Sequence, residues 1–372
     1  MDIFDRLTSK KHEQLVFCND EVSGLRAIIA IHDTTLGPAL GGTRMWPFKS
    51  EEEAIVDALR LSRGMTFKSA AAGLNLGGGK AVIIGDPKKH KSEALFRAYG
   101  RFIEGLGGRY ITAEDVGTDV QCMEWVRQET SYVTGISRAL GGSGDPSPVT
   151  ARGVFMGMKA CAKVRWGSDS LESRKVAVQG VGAVGRYLVD HLCEAGAQVF
   201  VCDINQDNLR LTKESNPGIE IVDPDTIYGL DVDIFAPCAL GAVINDDTIP
   251  QFKCEIIAGS SNNVLHREKI HARMLMEKNI TYAPDYVINA GGLINVANEL
   301  EGYNQERAFK QAENIYEIML RIFETADRED IPANQAAANF ALRRIHGIGK
   351  IRGLYSPTSR SNRQRMNLYG VS

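Results

Sequence analysis

Lys175-Val176-Ala177-Val178-Gln179-Gly180-Val181-Gly182-Ala183-Val184-Gly185 is a short apolar run that breaks into three glycines spaced G-x-G-x-x-G. The five residues ahead of the glycines read as a buried strand. From Gly182 to Ala195 the spacing turns helical, with Leu188, Val189 and Leu192 on one face. Gln198-Val199-Phe200-Val201-Cys202-Asp203 is a second strand and delivers a carboxylate 18 residues past Gly185. Strand, glycine turn, helix and second strand make a βαβ unit of the dinucleotide-binding kind. A bare glycine-bearing turn with no ligand is the alternative, since loops collect glycine. In this setting the glycines allow a tight turn and close approach to a pyrophosphate, and the helix start offers free N–H groups. Asp203 is placed to accept hydrogen bonds from ribose hydroxyls. It would repel a 2′-phosphate, and no arginine follows until Arg210, so NAD is expected over NADP.

Working outward, the alternation of strand and helix continues on both sides. Asp231-Val232-Asp233-Ile234-Phe235-Ala236 and Glu255-Ile256-Ile257-Ala258 read as further strands, and the text is helical from about Gln305. Upstream, Gly141-Gly142-Ser143-Gly144-Asp145-Pro146-Ser147-Pro148 is the clearest break in the chain and reads as a hinge. Before it, Leu25–His32, Lys80–Gly85 and Arg109–Thr112 read as strands. A helix is expected from Ser50, with Glu53 completing a capping box, and another carries Leu95, Tyr99, Phe102, Ile103 and Leu106 as an apolar stripe. With 372 residues, two domains are expected. The first is an N-terminal α/β catalytic domain over 1–142, joined by C-terminal helices at about 330–355. The second is a Rossmann-type, doubly wound domain over 150–328, with a loose tail over 356–372.

Two lysines draw attention in the first domain. Gly77-Gly78-Gly79 leads into Lys80, so backbone or ligand is expected to approach closely there, and Lys68 stands 12 residues earlier, after a helix. An arbitrary pair of lysines is solvated. Here apolar runs flank them, and Lys80 heads a strand expected to be buried. Desolvation lowers a lysine pKa toward the range of a general base. Asp115, at the end of a neighbouring strand, could pair with Lys80 or relay protons, or could simply start a helix before Val116-Gly117-Thr118.

Composition narrows the partners. A net charge of -3 gives no basic field, so neither nucleic acid nor an anionic membrane is expected. No apolar run reaches the roughly 18–20 residues of a membrane helix, and Met1-Asp2-Ile3-Phe4-Asp5-Arg6 lacks the shape of a secretory signal. Seven scattered cysteines without a CxxC pair point to reduced thiols in a cytoplasmic protein. No histidine stands at metal-ligand spacing, so no metal is expected.

The runs Pro38-Ala39-Leu40-Gly41-Gly42-Thr43-Arg44-Met45, Gly73-Leu74-Asn75-Leu76-Gly77-Gly78-Gly79-Lys80, Ala113-Glu114-Asp115-Val116-Gly117-Thr118 and Ala283-Pro284-Asp285-Tyr286-Val287-Ile288-Asn289-Ala290-Gly291-Gly292 together resemble the family of glutamate, leucine, phenylalanine and valine dehydrogenases. The likeness runs from about residue 10 to 350. It implies two domains separated by a cleft, a homo-oligomer of which an octamer is one size, and reversible NAD-dependent oxidative deamination of an L-amino acid to a 2-oxo acid and ammonium. Carried onto matching positions, Lys68 would bind the substrate carboxylate with backbone around Gly41 and Gly42. Lys80 would deprotonate the attacking water, and Asp115 would move protons at the substrate amine. Thr150 would hold the nicotinamide carboxamide, and Asn262 would lie close to nicotinamide and substrate. The loop Gly180, Val181, Gly182, Ala183, Val184, Gly185, with Arg186, Asp203, Cys238 and Ala239, would complete the coenzyme site. Leu40, Ala113, Leu293 and Val296 would line an apolar side-chain pocket, which disfavours glutamate. Leucine is the expected substrate, with valine and isoleucine accepted. Aromatic-specific relatives can carry leucine at the position of Leu293, so phenylalanine or tryptophan is the alternative. A nucleotide-sensing relative without catalysis would lack Lys68, Lys80 or Asp115, and all three are present.

Overall fold

The computed structural model describes residues 2–353, so the tail expected over 356–372 lies outside the described residues. The chain divides into two compact units. The first contains α1 (Ile3–Lys10), β1 (Gln14–Asp20), β2 (Leu25–Asp33), β3 (Ala39–Trp46), α2 (Glu51–Ala71), β4 (Gly77–Ile84), α3 (Glu93–Gly105), β5 (Tyr110–Glu114) and α4 (Val120–Arg127). Its sheet runs β1-β2-β4-β3-β5. β2 is antiparallel to both β1 and β4, while β3 is parallel to β4 and β5. β2 is buried along almost its whole length, as its unbroken Ile and Ala run requires.

α2 starts as the sequence leads one to expect, with a difference at the cap. Ser50 Oγ accepts from the Glu53 N–H at 3.1 Å, but the Glu53 carboxylate accepts from Lys49 N at 2.8 Å, one residue before the capping-box position. The apolar face of α2 (Ala54, Ile55, Ala58, Leu59) packs on Ile28, Ala30 and Val82 of β2 and β4. The triple glycine lies inside β4. A Cβ at Gly78 would fall within the Thr66 backbone of α2, so only glycine lets helix and strand come this close. Lys80 is therefore the fourth residue of its strand rather than the first.

The second unit contains α5 (Ser147–Trp166), β6 (Lys175–Gln179), α6 (Ala183–Glu194), β7 (Gln198–Cys202), α7 (Gln206–Ser215), β8 (Glu220–Ile221), β9 (Ile234–Pro237), β10 (Ile256–Ile257), α8 (Glu268–Glu277), β11 (Thr281–Tyr282), α9 (Asp285–Ile288), α10 (Gly291–Ala297) as far as Asn295, α11 (Gln305–Glu313), α12 (Ile315–Glu329) and the beginning of α13 (Ala333–Gly349). Its six strands are all parallel in the order β11-β10-β9-β6-β7-β8. From β6, strands β7 and β8 run outward to one side and β9, β10 and β11 to the other, which is the doubly wound arrangement with its switch point between β6 and β9. Helices α11 and α12 have no sheet of their own and pack on α5.

Two segments fall elsewhere than the sequence suggests. Val296–Asn304 belongs to the first unit, where the Glu299 carboxylate accepts from Gly135 N (3.0 Å), Ser143 N (2.8 Å) and Ser143 Oγ (2.5 Å). The beginning of α13, up to Phe340, belongs to the second unit, where Asn334 Nδ2 donates to Glu268. The boundary Gly144/Asp145 falls within the glycine-proline segment.

Candidate active site

In the first unit, β3 and β4 place Arg44 and Lys80 on the face covered by α2. Period-two alternation puts Gly42 and Arg44 on one side of β3, and puts Gly78 and Lys80 on the same side of β4. The Lys80 side chain is only 6% exposed, and its Nζ lies 2.8 Å from Asp115 Oδ2. Asp115 follows the end of β5, and β3 lies between β5 and β4, so the pairing reaches across a strand rather than from a neighbouring one. Asp115 does not start a helix. Its N–H donates to Thr118 Oγ1 and its C=O accepts from Thr118 N, while Asp119 caps α4. Its carboxylate is left to the cations.

Burial pulls the Lys80 ammonium below the ordinary lysine value, against the opposing attraction of Asp115. Burial pushes the Asp115 carboxyl up, but Lys80 and then Arg44 pull harder, and it rests below the usual aspartate value. Arg44 went unassigned from the sequence although it stands in a quoted motif. Its Nε donates to Asp115 Oδ2 at 3.0 Å and its NH1 to Asp57 Oδ2 at 2.9 Å. Below the sheet's other face, Tyr110 OH donates to Gly41 O at 2.6 Å, and Thr43 Oγ1 bridges Tyr99 OH and Thr112 Oγ1. This buried polar cluster fixes the peptide of Gly41. Lys68 lies within the last turn of α2, half-buried, not after the helix. Leu40 and Ala113 are buried in β3 and β5, and Val296 is half-buried in the same unit. Leu293 is buried in α10 of the second unit, so the expected pocket residues are divided between the units.

In the second unit, the glycine loop joins β6 to α6 and Gly182 caps the helix. A Cβ at Gly185 would collide with the Gly180 carbonyl, so the third glycine is imposed by the loop itself. At Gly182 a Cβ would meet no protein atom within 4 Å. The second glycine is thus not required by packing, and the space beside it suits a pyrophosphate at a helix N-terminus. Asp203 Oδ2 accepts from Val181 N at 2.8 Å and Oδ1 accepts from Asn205 N at 2.8 Å. Each oxygen keeps a lone pair for a ribose hydroxyl. Arg210 is turned to Asp207 and Glu214, away from that role. Cys238 N donates to Gln179 O, and Ala239 follows it, exposed, across from Gly180. Arg186 is exposed beside the loop, its guanidinium 4.9 Å from the Tyr187 ring. Thr150 Oγ1 donates to Pro146 O in the first turn of α5. Asn262 is exposed, and its Oδ1 accepts from Asn289 Nδ2 at 2.8 Å. Asn289 also donates to Ser260 O, a bracing role that no sequence pattern announced.

The model of the Glu/Leu/Phe/Val dehydrogenase dimerisation domain matches residues 12–132, and that of the glutamate/leucine/phenylalanine/valine dehydrogenases matches residues 141–207 and 201–353. The chain belongs to the Glu/Leu/Phe/Val dehydrogenase family. Within the family it is 60% identical to a leucine dehydrogenase of Thermoactinomyces intermedius over 97% of this chain and 98% of that one. It is likewise 60% identical to a leucine dehydrogenase of Geobacillus stearothermophilus, over 95% of each. Among solved structures, the L-tryptophan dehydrogenase from Nostoc punctiforme superposes with a TM-score of 0.85 at 48% identity, covering 94% of this chain and 100% of that one. The two-unit α/β architecture is that of an amino-acid dehydrogenase of this family.

Proposed function

We propose that the protein catalyses reversible oxidative deamination of L-leucine: leucine, NAD and water become 4-methyl-2-oxopentanoate, ammonium, NADH and a proton. The observation that carries the reading is the buried Lys80–Asp115 contact of 2.8 Å, an amine held partly desolvated beside an ionised carboxylate. The chemistry needs both. The leucine ammonium must lose a proton before its nitrogen lone pair can expel hydride from Cα, and Asp115 accepts that proton. The nicotinamide, when bound, supplies the hydride acceptor. Neutral Lys80 then takes a proton from water as its oxygen adds to the iminium carbon, and protonation of the nitrogen releases ammonia from the tetrahedral adduct. Lys68, with backbone at Gly41 and Gly42, holds the substrate carboxylate so that Cα is fixed during transfer.

For the coenzyme, we assign the pyrophosphate to Gly180–Gly185 with Arg186, the adenosine ribose to Asp203, the nicotinamide end to Thr150 and Asn262, and the loop wall to Cys238 and Ala239. The open space at Gly182 supports a dinucleotide pyrophosphate, and the carboxylate of Asp203 supports NAD over NADP. Leu40, Ala113, Leu293 and Val296 carry no charge, which supports a branched apolar side chain. The family model's dimerisation domain supports self-association, with an octamer as the proposed size. Seven unpaired thiols fit a cytoplasmic setting, and among the described residues no helix is long and apolar enough to cross a membrane.

Steady-state rates of NADH formation with Leu, Val, Ile, Phe, Trp and Glu test the reading. Leucine is expected to give the highest kcat/KM, with valine and isoleucine lower by roughly 10–200-fold or less. A preference for Phe or Trp would move the protein to the aromatic branch of the family. No turnover with any of them would leave only a nucleotide-binding relative.

A further inference from the structure

Asp115 offers two oxygens, yet both of its cations sit on one. Lys80 Nζ and Arg44 Nε lie 2.8 and 3.0 Å from Oδ2, and no described residue donates to Oδ1. Arg44 is itself pinned from the far side, because its NH1 meets Asp57 Oδ2 in α2, whose other oxygen takes Arg60 at 3.1 Å. We propose that Arg44 is a positioning residue for the reaction: by sharing Asp115 with Lys80 it keeps the carboxylate ionised and stops it from locking Lys80 as a permanent ammonium. The inference rests on the general-base reading of Lys80 given above.

The physical argument is charge balance in a dry site. A lone Lys80–Asp115 pair would be neutral, and removing its proton would strand a buried anion. With Arg44 on the same oxygen, and Asp57 and Arg60 behind it, the cluster holds three cations against two anions and carries one excess positive charge. Loss of the Lys80 proton then leaves a matched Arg44–Asp115 pair. An arginine suits this task because it stays charged at every working pH and its fork can hold Asp57 and Asp115 at once. The other groups on that face do not compensate. From β2 comes His32, kept neutral with a pKa of about 4 by burial. From α2 come Asp57, which favours the charged amine, and Lys68 in the last turn. On the opposite face of the sheet, Tyr99 and Tyr110, from α3 and β5, are held neutral by burial.

The test is the pH profile of kcat/KM for leucine at saturating NAD in the full-length protein, with thermal melting as a fold control. In Arg44→Gln the acid limb is expected to move up by about one pH unit while activity is regained at high pH. Arg44→Lys restores a charge without the fork and is expected to bring the limb at least halfway back. Asp57→Asn removes an anion that favours the ammonium, so its limb moves the other way, to lower pH. That opposite sign keeps the inference testable even if Arg44→Gln does not fold. A folded Arg44→Gln enzyme with an unmoved limb, or one that loses activity equally at every pH, overturns the role of Arg44 alone. Absence of leucine-dependent NADH formation by the wild type overturns the reading beneath it.

Discussion

At Asp115 the chemistry is decided by which groups reach one carboxylate. Asp115→Asn removes the proton acceptor and leaves Lys80 beside Arg44 with no anion between them. Turnover of leucine is expected to fall by about 10²–10⁴ with NAD affinity unchanged, read by single-turnover kinetics and coenzyme titration; near-normal turnover would remove Asp115 from the chemistry. Lys80 and Asp115 were legible in the sequence because their flanks are apolar and glycine-rich, so a charge there had to be paired. Arg44 was not. Its partners stand 13 and 71 residues away, and no local period reveals a contact closed only when strands line up. Asn289 escaped for the same reason. Its work is done on backbone at Ser260, which leaves no mark in spacing.

At the level of elements, the glycine loop separates packing from ligand binding. Gly185→Ala forces a Cβ onto the Gly180 carbonyl and is expected to cost roughly 1–3 kcal/mol of stability. Gly182→Ala meets no protein atom, so stability should hold while NAD affinity drops. Calorimetric melting and coenzyme titration of both variants check this, and a Gly182→Ala protein that binds NAD normally would place the pyrophosphate elsewhere. The loop between the two lysines is also held from outside. Arg344 in α13 donates to Ala70 O, Leu74 O, Gly73 O and Asn75 Oδ1, bracing the turn from α2 into β4. β6, α6 and β7 were read from sequence because an apolar run, a helical stripe and a carboxylate follow in order. β8 and β11 were missed because each is two residues long and neither is the wholly apolar pair that marks the equally short β10. The triple glycine was seen as a close approach but its partner, the α2 backbone, is a tertiary fact.

For the molecule as a whole, acid is the expected weak point. His32 is buried between Thr66 Oγ1 and Lys10 O, and His12 donates to Leu59 O while its Nδ1 finds no partner among the described residues. Burial holds both below the ordinary histidine value, His32 at about 4. Because the folded pKa is depressed, the stability His32 contributes is present above its unfolded value of 6.5 and is lost as pH falls toward about 4. That loss is on the order of 3 kcal/mol by proton linkage. Denaturation midpoints between pH 7 and 4.5 should fall less steeply in His32→Gln than in the wild type; equal slopes would assign the acid sensitivity to other groups. Two domains and a doubly wound sheet followed from the pattern of elements, whereas the return of Val296–Asn304 to the first unit did not, since it depends on the single carboxylate of Glu299. The reaction itself rests on Lys80. Lys80→Ala, assayed for leucine turnover with NAD binding followed in parallel, is the most direct measurement. Loss of nearly all kcat with coenzyme affinity intact is the predicted result, and retention of more than about a tenth of wild-type kcat, a barrier change under roughly 1.4 kcal/mol, would contradict it.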